Sequence, residues 1–151
     1  RDEAASNGES SDMTDVTVSA DFQQPAELVW AQIRDFCGVD RWLPGIERVE
    51  SEDEGKLRRI VLPDGKIVLE REVARDEGAM TLSYTVIESP MPFTDYRSTM
   101  KVQPTATGCT VSWSASLVPL AAEDKVVRLV NGLYRGGLKG LEGYLGTQPA
   151  H

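Results

Sequence analysis

Tyr84, Tyr96, Ser98 and Trp113 carry the first chemical signal in the chain, because each combines a polar group with an inward-facing position. In Cys109–Leu117 the odd positions are apolar and the even ones are hydroxyl residues, a period of two that turns Trp113 toward an interior. The preceding stretch sets Tyr96, Ser98, Met100 and Val102 on one face, against Asp95, Arg97, Thr99 and Lys101 on the other. The one before that aligns Met80, Leu82, Tyr84 and Val86. A buried phenol or indole needs a hydrogen-bond partner. Two tyrosines and a tryptophan on one interior surface therefore predict either a mixed core or the wall of a ligand pocket suited to a flat hydrophobic molecule.

Several chemistries are excluded at the same level. The only histidine is His151, at the end of the chain, so a His-based triad, an imidazole base or a His metal site is not available within a fold. Cys37 and Cys109 lack metal-site spacing and read as buried thiols in a reducing compartment, with a disulfide between them as the alternative. Gly132-Leu133-Tyr134-Arg135-Gly136-Gly137 lies in a helical pattern without the ending of a phosphate loop. Neither a metal nor another cofactor is expected. An enzyme here must work with Glu, Tyr, Ser, Arg and shape.

The elements that would position these groups follow in a simple order. A strand over Thr14–Ala20 precedes a short amphipathic helix that starts at Pro25 and runs to about Phe36, with Val29, Trp30, Ile33 and Phe36 on one side. Gly38 stops it, and Asp40–Gly45 offers a second brief helical turn. Strands are expected at 46–51, 57–62 and 66–74, and then in the three alternating stretches above. Pro63-Asp64-Gly65, Asp76-Glu77-Gly78, Ser89–Pro92 and Thr105–Gly108 supply turns. A long helix from about Ala122 to Leu145 ends the pattern, with Val126, Val130, Tyr134, Leu138 and Leu141 on a buried face.

That helix contains Gly132, Gly136, Gly137, Gly140 and Gly143. Each costs about 1 kcal/mol relative to alanine. The stripe formed by 132, 136, 140 and 143 has three readings: close approach of backbone to the sheet, the roof of a cavity that Leu133, Gly136 and Gly137 would help to line, or a break in the helix near Gly136-Gly137.

Length and composition bound the answer. At 151 residues the chain is long enough for one domain with a core of its own. A net charge of −8 argues against nucleic acid or an anionic membrane surface as the main partner. No apolar run reaches the roughly 20 residues that span a bilayer. A cytoplasmic protein, monomeric or homodimeric, without nucleic-acid partners or membrane insertion, is expected. Residues 1–12 read as a disordered or extraneous tail, with Met13 placed like a natural start, 13–146 as a single domain, and 147–151 as a C-terminal tail.

In this order of elements the chain resembles the helix-grip superfamily that includes START domains, birch-pollen-allergen-like proteins and plant abscisic acid receptors. It is most similar to the bacterial polyketide cyclase/dehydrase-like group. The resemblance rests on Pro25–Trp30, Ile33–Phe36, Arg41–Gly45, Leu62–Gly65, Glu70-Arg71, Tyr84, Tyr96-Arg97-Ser98 and Gly108–Trp113 in sequence. It implies an α+β fold in which a seven-stranded antiparallel sheet wraps a long C-terminal helix, with two short helices after the first strand and an elongated hydrophobic cavity inside. In similar proteins the position of Glu70 faces the cavity, and the strand motif holding Tyr96 and Ser98 supplies polar contacts to it. The local alternation of Ile67, Leu69, Arg71 and Val73 instead turns Glu70 outward unless a bulge reverses the phase, and a surface or buried ion pair with Arg71 or Arg59 is the alternative role. If inward, Glu70 would serve as a general base or bind a polar group of a ligand.

Three functions are compatible with these residues. The first is binding of a small polyketide-, aromatic- or lipid-like molecule through Glu70, Tyr84, Tyr96, Ser98, Met100, Trp113, Leu133, Gly136 and Gly137. The second is a polyketide cyclase or dehydrase, with Glu70 and Tyr96 as candidate catalytic residues. The third is a protein-interaction module, for which Trp113, Tyr84 and Met100 should fill the interior.

Overall fold

A computed structural model describes residues 13–147, so the tails expected over 1–12 and beyond Thr147 lie outside the described residues. Seven strands form one sheet: β1 (Thr14–Phe22), β2 (Arg48–Glu52), β3 (Leu57–Val61), β4 (Ile67–Asp76), β5 (Thr81–Glu88), β6 (Phe93–Pro104) and β7 (Cys109–Pro119). Their order is β1-β7-β6-β5-β4-β3-β2, with every neighbouring pair antiparallel. Strands β2 to β7 are thus a meander, and β1 crosses over to pair with β7, Thr14 opposite Leu117 and Phe22 opposite Cys109.

The crossing from β1 to the far edge is made by α1 (Ala26–Ile33) and a 3-10 helix over Phe36–Arg41. Pro25 lies just before α1 in extended backbone, and its carbonyl accepts the amides of Leu28 and Val29. The helix ends at Ile33 rather than near Phe36. Asp35 leaves helical backbone (φ −82°, ψ 82°), and its carboxylate is held by the Arg41 guanidinium. The second helical turn therefore begins four residues earlier than the sequence pattern suggests, and it buries Phe36 and Val39. Trp42 to Gly45 continue as irregular chain.

The last element, α2 (Glu123–Gly146), runs without a break through all five glycines of the earlier reading. It buries Val126, Val130, Tyr134, Leu138 and Leu141. It packs mainly across β1 and β7, at one side of the curved sheet, so the inner face of β3 to β5 is not covered directly by the helix. No helix among the described residues is long and apolar enough to cross a membrane.

Candidate functional site

The space left between α2 and the inner face of β3 to β6 is a cavity of about 360 Å³. The sheet contributes Ile60 and Leu62 from β3 and its turn, Val68 from β4, and Val86 from β5. Leu43 to Ile46 close one side, Met91 and Phe93 another, and Gly132, Leu133, Tyr134 and Gly136 of α2 lie opposite. Leu133 is half-exposed at the rim.

One wall is polar, and the register explains why. Arg58 stands opposite Glu70 and Ile60 opposite Val68, so these four side chains share the inner face of β3 and β4. The β4–β5 pairing shifts between Leu69 and Glu70, and again between Glu72 and Ala74. Neither shift turns Glu70, because the first adds a residue to β5 and the second falls at Val73: Val68, Glu70 and Glu72 alternate regularly on the inner face, and Val73 of the apolar set is exposed. The partner of Glu70 is neither Arg71 nor Arg59 but Arg58, whose Nε donates to Glu70 Oε1 at 2.7 Å. Arg59 and Arg71 pair on the outside with Glu52 and Asp53.

Arg58 is fixed on several sides. Its Nη1 donates to the Phe36 carbonyl at 2.8 Å, and its guanidinium carbon lies 3.9 Å from the Phe36 ring centroid and 4.7 Å from that of Tyr84. The planar, weakly hydrated guanidinium suits such stacking better than an ammonium would. Sequence reasoning missed Arg58. The available signal was its spacing of two from Ile60, which places both on one face of a strand.

Next to this pair the aromatic groups join in a buried hydrogen-bond network. The hydroxyls of Tyr96 and Tyr134 are in contact, Tyr134 meets Ser98 Oγ at 2.8 Å, and Ser98 donates to the Ser114 carbonyl at 2.9 Å. Trp113 Nε1 lies 3.0 Å from Ser98 Oγ and 3.1 Å from the Tyr84 hydroxyl. Burial pushes the Tyr96 and Tyr134 phenols well above their ordinary pKa, and raises Tyr84 by the same cause. The Trp113 and Tyr134 rings stack with centroids 4.2 Å apart and planes 5° from parallel. Gly137 permits this: a Cβ there would stand 2.6 Å from a ring carbon of Trp113.

A bulge also shapes β6. Its pairing with β7 shifts between Thr94 and Arg97, where Asp95 adopts φ 52°. The extra residue lets Phe93 and Tyr96 both reach the cavity, and their rings stack at 4.9 Å.

Of the residues singled out from sequence, Glu70, Tyr84, Tyr96, Trp113, Leu133 and Gly136 line the cavity. Ser98, Met100 and Gly137 do not. Ser98 is fully enclosed behind the tyrosines, Met100 is buried opposite Trp113 in the β6–β7 pairing, and Gly137 is covered by the Trp113 ring. Tyr134, read from sequence only as part of the buried helix face, is both a lining residue and the centre of the network. The filled interior expected for an interaction module is not seen, since Tyr84 and Trp113 border open volume.

The glycine stripe divides. Gly136 has nothing within 4 Å of a Cβ position and faces the cavity, whereas a Cβ on Gly140 would run into the Trp42 carbonyl oxygen. Roof and close approach thus occur in successive turns of one helix.

The profile of a family described as polyketide cyclase / dehydrase and lipid transport matches residues 13–146. The chain belongs to this family. A search of curated proteins finds no match. Among solved structures, an uncharacterized protein from Bacillus thuringiensis is 29% identical with a TM-score of 0.82, covering 87% of this chain and 99% of its own. The protein XoxI from Bacillus cereus is 27% identical with a TM-score of 0.80, covering 92% of this chain and 99% of its own. Norcoclaurine synthase from Thalictrum flavum, solved with dopamine and hydroxybenzaldehyde, is 16% identical with a TM-score of 0.72, covering 92% of this chain and 90% of its own, and shares the fold. In this member of the polyketide cyclase/dehydrase and lipid-transport family, the helix-grip sheet carries an ion pair and a phenol network on one wall of an otherwise apolar cavity.

Proposed function

We propose that the protein binds a small hydrophobic molecule, polyketide-, aromatic- or lipid-like, between the sheet and α2. The observation that carries the reading is the cavity of about 360 Å³, walled chiefly by aliphatic and aromatic side chains with a few convergent polar groups, as small-molecule sites are. The family description supports the same ligand class. A cyclase or dehydrase activity is the second reading, favoured by the placement of Glu70 and Tyr96 on one wall of that cavity. It requires a side chain whose removal abolishes turnover while leaving affinity in place.

Native mass spectrometry of the purified protein, with organic extraction of what it carries, tests the binding reading. The expected result is a mass excess released as a hydrophobic molecule, or saturable uptake of a hydrophobic fluorophore by the empty protein, lost in both cases on Gly136→Leu. An empty protein that takes up no such probe would sink the reading.

A further inference from the structure

The hydrogen bonds of the phenol network have one consistent direction, and it determines what the cavity still lacks. The Ser114 carbonyl can only accept, so the Ser98 hydroxyl spends its single proton there. Tyr134 must then donate to Ser98 Oγ, and Tyr96 must donate to Tyr134. Tyr96, at the cavity end of this chain, has used its proton and presents an oxygen that can only accept. Tyr84 accepts from Trp113 and is hydrogen-bonded to Ser98 as well, behind the cavity surface.

The ion pair is also incomplete on the cavity side. Glu70 Oε1 and the Nε and Nη1 of Arg58 are engaged, which leaves Glu70 Oε2 and Arg58 Nη2. Trp42 Nε1 is the one buried side-chain nitrogen or oxygen without a partner among the described residues. The two free atoms of the pair are therefore not sealed in protein, and both residues line the cavity. The wall is balanced in charge, one guanidinium against one carboxylate, with neutral phenols beside them.

We propose that the bound molecule is neutral and largely flat, and carries a hydroxyl, phenolic or enolic, that points at the wall formed by Tyr96, Glu70 and Arg58. The inference rests on the binding reading above. The wall offers acceptors at Tyr96 and Glu70 as well as a donor at Arg58 Nη2. A hydroxyl satisfies both kinds, whereas a ketone, ether or carboxylate can meet only the donor. A carboxylate would further set two anions against one cation in a site that excludes much of the solvent.

The test uses three probes of one shape, 2-naphthol, 2-methoxynaphthalene and 2-naphthoate, titrated calorimetrically into the wild-type protein and Tyr96→Phe. The expected order is 2-naphthol tighter than 2-methoxynaphthalene by about tenfold or more, the scale of a hydrogen bond to a polar or charged wall, with 2-naphthoate weaker than 2-naphthol. Tyr96→Phe should reduce the ratio of 2-naphthol to 2-methoxynaphthalene affinity severalfold. Equal binding of 2-naphthol and its methyl ether overturns the inference while sparing the binding reading, and so does preference for 2-naphthoate or an undiminished preference in Tyr96→Phe. A folded protein that binds none of the three removes the binding reading itself.

Discussion

Arg58 and Glu70 face each other with side chains 6% and 10% exposed, and that burial governs what their removal would cost. Breaking such a pair leaves one charge without its partner in a poorly solvated place, a loss of about 3–5 kcal/mol at full burial, whereas replacing both charges is often neutral. The opening onto the cavity places this pair at the lower end. Arg58→Leu and Glu70→Leu should each lower the free energy of urea unfolding by about 3 kcal/mol, and the double variant should recover most of the sum. Strictly additive losses would show that the two groups act separately. The pair also explains why this part of the site was hard to read in sequence. An arginine and a glutamate on neighbouring strands look like an ordinary outer face, because apolar alternation marks the inside only where the inside is apolar. Tyr96 and Trp113 were legible because β6 and β7 keep charged residues off the inner face, while the inner face of β3 and β4 carries Arg58 and Glu70.

At the level of elements, α2 combines two uses of glycine that a sequence pattern cannot distinguish, since both leave the same absence of a side chain. Neighbours in space separate them. Gly136→Ala has room and should gain up to about 1 kcal/mol from helix propensity, whereas Gly140→Ala must displace the Trp42 carbonyl and should lower Tm. A fall in Tm for both, measured by thermal unfolding, would mean that the cavity roof is as tightly packed as the helix end. The attachment of α1 makes a second prediction. Glu77, in the turn between β4 and β5, accepts hydrogen bonds from Arg34 and Trp30 of the α1 segment and from Arg75. These partners, Arg34 foremost, lower its pKa from the usual 4.5 to about 2. A depressed carboxylate favours the folded state above its unfolded pKa and loses that contribution as pH falls through the folded one. Wild-type stability should therefore drop between pH 4.5 and about 2 more steeply than that of Glu77→Gln. Parallel curves would remove Glu77 from the acid response. The type and order of elements were readable from periodicity and turn residues. The end of α1 was not, because Asp35 leaves the helix for a side-chain partnership with Arg41 that no local propensity encodes.

For the molecule as a whole, the sheet order decides how the chain can assemble. Strands β2 to β7 pair with their neighbours in sequence, but β1, the first strand described, pairs with β7, the last, along its full length. Closing so long a loop costs conformational entropy before any contact repays it, so refolding from denaturant should occur in about milliseconds to seconds rather than microseconds. Stopped-flow tryptophan fluorescence would show this, and a microsecond phase with full amplitude would contradict it. Synthesis imposes the same constraint in a different form. Chains emerge from the ribosome at about 5–20 residues per second. Val16, Val18 and Phe22 of β1, all buried in the finished protein, are therefore made seconds before the strand that covers them. For that interval the nascent chain carries an apolar strand with no partner, exposed to whatever shields or captures such segments until β7 and α2 have been translated.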